Sequence, residues 1–162
     1  MQSEEAQGTP SLEPPRGMYP SRLDDKGRLK LPVPFQQYFG SLPDRKLFVT
    51  SLDRRTAQIY TMPVWRENER FFETYTENPR VAKNVAFNAN DLGADAEMDA
   101  QGRILFPPEL RRELGLENAP VRLYAYKSRI EVLSEGIYQH RKQLASQTPE
   151  DAVDLLERAG LK

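Results

Sequence analysis

Leu23-Asp24-Asp25-Lys26-Gly27-Arg28-Leu29-Lys30-Leu31-Pro32 returns 75 positions later as Met98-Asp99-Ala100-Gln101-Gly102-Arg103-Ile104-Leu105-Phe106-Pro107. Asp, Gly, Arg and Pro keep their places, and the apolar positions 23, 29 and 31 stay apolar at 98, 104 and 106. A self-match at a fixed period marks two copies of one supersecondary unit, each dependent on a neighbour to bury its apolar face. The chain reads as a pseudo-dimer inside one polypeptide. In the first copy Leu29 and Leu31 fall on one side and Arg28 and Lys30 on the other, as the two-residue period of a strand requires. Gly27 and Gly102 mark tight reversals where positive φ is readily adopted. Pro32 and Pro107 end the strands, because proline cannot continue a ladder.

Outward from these phrases the halves continue alike. Short helices are expected over 34–39 before Gly40 and 108–114 before Gly115, each glycine placed as a C-terminal cap. Strand pairs follow over 46–50 with 57–62, and over 121–126 with 129–133 across a Lys127-Ser128 turn. A helix over 63–75 sets Trp65, Phe72 and Tyr75 on one stripe, read as core, and Asn78 caps the next helix, opening at Pro79 and running to about Asn88. The second half has a helix over 135–146, and Thr148, Pro149, Glu150, Asp151 and Gly160 signal a last one. The expected fold class is α+β, with two β-β-α-β-β-α repeats and flanking helices. The organisation is a leader (1–15), a first repeat (16–76), a linking helix and loop (77–95), a second repeat (96–146) and a C-terminal helix (147–162).

The chain has 162 residues, enough for one domain or two small halves sharing a core. It contains no cysteine, which removes disulfides, thiolate metal sites and cysteine nucleophiles together. No run approaches the length of a membrane-spanning helix, so no membrane partner is expected. The leader holds Glu4, Glu5 and Glu13 without Lys or Arg, unlike a signal peptide, and its Pro- and Glu-rich composition reads as disordered. The expected location is cytoplasmic. Without the leader's three acids the net charge of −1 becomes an excess of two positive charges. Within residues 16–30, Arg16, Arg22, Lys26, Arg28 and Lys30 face only Asp24 and Asp25, so the positive charge gathers on the first copy.

His140 is the single histidine and stands beside Arg141 and Lys142 on a charged helix, where it reads as a solvated surface group. A zinc site of usual composition and a catalytic triad both lack their residues, and no phosphate-binding glycine motif occurs. No enzyme, cofactor, metal or small-molecule substrate is expected. The Asp-x-x-x-Arg phrase remains. Asp24 and Asp99 are expected to shape the turns with Gly27 and Gly102 by accepting amides or pairing with arginine. Lys26, Arg28 and Lys30 are spaced to share one exposed strand face, and cations so spaced suit phosphate contact, while arginine can also read guanine through its bidentate fork.

The runs Gly17-Met18-Tyr19 and Leu23 through Phe35 resemble the N-terminal signature of the MraZ family of bacterial transcription regulators. Asp99 to Leu105, with Leu110-Arg111 and Leu114-Gly115-Leu116, is similar to that family's second signature, and the likeness spans residues 17 to 140. It implies an AbrB-like swapped-hairpin barrel formed by the two repeats, and a ring-shaped homo-oligomer. It also implies repression through tandem GTG-containing repeats in duplex DNA upstream of the protein's own operon, the division and cell-wall cluster, with a nucleoid location. Carried over by residue, the motif arginines are Arg28 and Arg103, the turn lysine Lys26, and the acids Asp24 and Asp99. The sequence departs from the family in its leader, in lacking a glycine within 125–133, and in its last helix over 149–159.

Lys26, Arg28, Lys30, Arg103 and Arg22 are therefore the expected DNA-contacting residues. The copies are unequal, since Gln101 and Leu105 replace Lys26 and Lys30, so the first copy is expected to dominate affinity. The competing reading is a ring-forming scaffold or partner-binding module with a purely architectural Asp-x-x-x-Arg, favoured by the near-zero net charge. An AbrB-type antitoxin is a third reading, weakened because such proteins usually carry one repeat per chain.

Overall fold

The alternation seen around each glycine becomes a three-residue strand in each half, and these two strands pair with one another. In the structure, a computed structural model that describes residues 13–162, β1 (Tyr19–Arg22), β2 (Arg28–Lys30), α1 (Val33–Gly40), β3 (Leu47–Thr50), β4 (Ala57–Thr61) and α2 (Met62–Thr74) form the first half. After α3 (Pro79–Leu92) come β5 (Ala94–Ala96), β6 (Arg103–Leu105), α4 (Pro108–Leu114), β7 (Pro120–Tyr126), β8 (Arg129–Ser134) and α5 (Glu135–Ser146), then α6 (Ala152–Ala159). The class is α+β. Most of the leader expected to be disordered lies outside the described residues.

One sheet has the order β1-β7-β8-β4-β3-β5 and a second consists of β2 and β6, with every pairing antiparallel. The order is unchanged when the strands of one half are exchanged for those of the other. Each half thus contributes its first strand to the edge of the other's hairpin: β1 pairs with β7, and β5 with β3. Within the first half β1 and β2 form no ladder, and the isolated bridge Leu23↔Leu29 and the bonds of Asp24 join the two sides of the glycine turn. The reversal is local, while the ladder it feeds is not.

The main core lies between the large sheet, the β2–β6 ribbon, and helices α1 and α4. Leu29 and Ile104 face each other at the centre of the ribbon and are fully buried, as are Phe35 of α1, Leu110 of α4, and Val121 and Leu123 of β7. A smaller aromatic core joins the sheet to α2, where Trp65 stacks on Phe48 with ring centroids 4.5 Å apart. Of the expected stripe, Trp65 is buried and Phe72 packs on it edge-on, but Tyr75 pairs with the exposed Phe71. Thr50 is fully buried because its hydroxyl donates to the Ala89 carbonyl, fixing α3 to β3.

The local end signals decide some helix termini and not others. Gly115 caps α4 at φ +69, and the Asn78 side chain accepts from the Val81 amide at the start of α3. Gly40, by contrast, is the last residue of α1, and the cap is Ser41 in the right-handed region. Thr148 does not open α6: its hydroxyl donates to the Ala145 carbonyl of α5, and the helix begins at Ala152. The Lys127-Ser128 turn forms with Lys127 at φ +57.

One staple had no sequence signal. Arg54, at φ +61 in the β3–β4 connection, donates to Asn88 and Asp91 of α3 and makes two bonds to Glu113 of α4. These four bonds from one rigid fork join a loop of the first half to helices α3 and α4, the latter in the second half.

Two close approaches hold the glycine turns. Gly27 has φ +84, and a Cβ there would stand 1.8 Å from Nη1 of Arg111, whose Nη1 donates to the Phe106 carbonyl. Gly102 has φ +76, and a Cβ would meet Gln36 at 2.3 Å; Gln36 occupies the position equivalent to Arg111 and donates to the Leu31 carbonyl. Gly27→Ala is expected to lower unfolding free energy by about 2 kcal/mol or more in urea titration, of which about 1–2 kcal/mol is left-handed backbone strain. Combining it with Arg111→Ala removes the collision but not the strain, so the two substitutions will be non-additive.

Candidate functional site

Each motif aspartate organises a turn. Oδ1 of Asp24 accepts from the amides of Lys26 and Arg28 at 3.0 and 2.9 Å, while Oδ2 accepts from the Arg28 guanidinium at 2.8 Å. Asp99 repeats the arrangement with the amides of Gln101 and Arg103 and the Arg103 guanidinium. The Gly27 and Gly102 amides donate to the backbone carbonyls of Asp24 and Asp99. The carboxylates therefore shape the turns, as the residue types suggested, and each fixes its arginine over the strand that follows.

The two turns reach across to each other. The Leu31 amide donates to the Gly102 carbonyl and the Phe106 amide to the Gly27 carbonyl, both at 2.9 Å. Lys30 adds a third link through Nζ to the Gln101 carbonyl. As a result Arg22, Arg28, Lys30 and Arg103, from both halves, line one open depression of about 430 Å³ together with Asp24, Asp25 and Asn118. Asn118 contributes its carbonyl, which accepts from Arg22.

Lys26 stands apart. It sits exposed on the turn itself, outside β2, so it does not share a strand face with Arg28 and Lys30. The expectation of one such face is corrected because the bend at 24–27 carries Lys26 off the strand. Arg28 and Arg103 are each half-buried, but their partners differ: Arg103 also donates through Nη2 to Gln101 Oε1. Asn118 and Asp25 were not among the expected site residues. Nothing in the local sequence around Asn118 tells of Arg22, 96 residues away. His140 is exposed on α5, and among the described residues no group of three or more His, Asp and Glu could hold a metal ion. No described helix is long and apolar enough to cross a membrane.

The amide of Arg28 beside Asp24, partly opposed by desolvation and aided by the Arg28 guanidinium, holds its carboxyl below the usual 3.8. The Arg103 amide does the same for Asp99. Because the folded value is depressed, the stabilisation is complete above the ordinary aspartate value and is lost as pH falls through the folded one. The denaturation midpoint is expected to stay flat from neutrality to about pH 5 and then fall with acid. Asp24→Asn will lower the plateau and shrink that acid-dependent drop, since an amide oxygen lacks the carboxylate's charge; a drop of unchanged size would contradict the assignment.

No family model matches the chain. Curated relatives do. The transcriptional regulator MraZ of Acidobacterium capsulatum is 32% identical over 142 residues, which cover 88% of this chain and 97% of that protein. The MraZ regulators of Nitrosospira multiformis and Koribacter versatilis are 36% identical over 107 residues and 33% identical over 97 residues, covering 72% and 66% of their own lengths. With such identity sustained across nearly the whole of the Acidobacterium protein, the chain belongs to the MraZ family of transcriptional regulators.

Proposed function

We propose that the protein regulates transcription by binding duplex DNA in a sequence-specific manner. It uses the depression and turns of the β2–β6 ribbon, and acts as a homo-oligomer, in ring form, on tandem short repeats upstream of its own operon. The observation that carries this reading is the gathering of Arg22, Arg28, Lys30 and Arg103 from both halves around one open surface. Such cations suit phosphate oxygens, and arginine forks suit guanine edges. In this reading the fold is an AbrB-like swapped-hairpin barrel, with repeats over 16–76 and 96–146 joined by 77–95 and followed by a helix over 147–162.

Multivalency supplies what one small basic surface lacks. A ring presents the same face at fixed spacing, so each bound box turns the next contact into an intramolecular one. Lys26, exposed on its turn, would add a further cation of the first half to the DNA contact. The competing scaffold reading draws on the aspartates, which are fully engaged in turn geometry, and on the near-zero net charge.

The test is fluorescence anisotropy with the duplex upstream of the protein's own coding sequence. Arg28→Ala is expected to cost about 1–3 kcal/mol of binding, the worth of a base-reading arginine. Arg103→Ala will show the smaller, salt-sensitive loss of a phosphate contact. Equal losses would contradict the dominance of the first half. An oligomer that ignores this DNA at low salt would establish the scaffold reading instead. Thermal melts of both variants separate binding loss from the loss of the half-buried ion pair each removes.

A further inference from the structure

The pseudo-symmetry of the chain passes through the β2–β6 ribbon, where each half contributes one strand. Its register is Arg28↔Leu105, Leu29↔Ile104 and Lys30↔Arg103. Exchange of the halves sends the central pair onto itself and each end onto the other. The two ends are then equivalent in backbone and differ in one residue, Lys30 at one and Leu105 at the other.

At the Lys30 end two cations stand directly opposite one another on an antiparallel ladder, a juxtaposition that disfavours the folded chain by itself. Arg103 is balanced by Asp99, but Lys30 bonds only to a neutral carbonyl, and so does Arg22 beside it. Asp24 and Asp25 are the acids lining the depression, and Asp24 is taken up by Arg28. At the other end the position of Arg22 is held by Glu97, that of Asp25 by Ala100 and that of Lys30 by Leu105, which is 57% exposed. One end therefore offers uncompensated positive charge to an anion. Its symmetry mate offers an exposed apolar side chain and an acid.

We propose that the ribbon is a polar reading head: its Lys30–Arg103 end seats a backbone phosphate, and its Leu105 end lies against a base edge that carries a methyl group. The inference rests on the DNA-binding reading above and specifies how that site is oriented. A true two-fold would read both directions of a duplex alike, which matches inverted half-sites. A ribbon with one anionic seat engages an asymmetric element in one orientation. Apolar side chains recognise thymine in the major groove through its C5 methyl group, and phosphate contacts fix register without reading sequence.

Lys30→Leu, Leu105→Lys and the exchange of both residues test this by anisotropy with the duplex upstream of the coding sequence, titrated with salt. Both side chains are exposed, so the variants keep the core. Lys30→Leu is expected to weaken binding roughly eightfold at 0.1 M salt and to reduce the salt slope by about 0.9, the effect of one phosphate contact. The wild type should bind more weakly to a duplex with uracil in place of thymine, and Leu105→Lys should lose that discrimination while keeping the Lys30-dependent slope. Equal responses to Lys30→Leu and Leu105→Lys, or indifference of the wild type to uracil, would overturn the polarity while leaving DNA binding intact. Absence of any salt-dependent duplex binding by the wild type would overturn the DNA-binding reading, and the polarity with it.

Discussion

Two backbone hydrogen bonds, from Leu31 to Gly102 and from Phe106 to Gly27, govern how this chain is put together. Each requires a turn tight enough to present a glycine carbonyl to the other half. That geometry requires a residue without a side chain beneath Arg111 or Gln36, and an aspartate to hold the amides that follow. Once both turns are set, Leu29 and Ile104 face one another in a dry core and the flanking charged residues project outward. The same constraint that closes the core aims the cations. Shape and electrostatics are consequences of one repeated ten-residue phrase.

Turn chemistry is the part of this arrangement that a sequence states most clearly. Asp24, Gly27, Asp99 and Gly102 have the roles their residue types suggest, because a turn is decided by neighbours a few positions away. The antiparallel pairs β3–β4 and β7–β8 are legible for the same reason. The exchange of β1 and β5 between halves is not, since period-2 alternation tells which face a residue takes but not which strand lies beside it. Thr148 illustrates a different limit: its hydroxyl can accept from an amide at a helix start or donate to a carbonyl at a helix end, and the end of α5 wins over the start of α6. Lys26 was placed on a strand face by spacing alone, but the bend that Asp24 organises lifts it away. The Arg54 staple spans 59 residues to Glu113 and leaves no mark in local sequence at all.

The charge of the site is easily misjudged from counting. Arg28 and Arg103 are each neutralised by the aspartate four residues before them, so their contribution to the surface field is small and their value lies in fixed direction. Lys30 and Arg22, bonded to carbonyls, keep their full charge. A net charge near zero for the whole chain thus coexists with a locally positive depression, because screening within about 10 Å makes near neighbours matter more than the total.

The pairing of β1 with β7 brings Tyr19 beside Leu123, about a hundred residues further along the chain. During synthesis at about 5–20 residues per second, the first strand emerges roughly 5–20 s before its partner exists. Throughout that interval its backbone donors and acceptors are open to any neighbouring nascent chain. The strand itself is short and reads Tyr19-Pro20-Ser21-Arg22. A proline that withholds one donor and a charged end both discourage stray pairing at a strand edge. The residues of β1 are thus suited to waiting as well as to joining, a demand that a protein with only neighbouring strand pairs never faces.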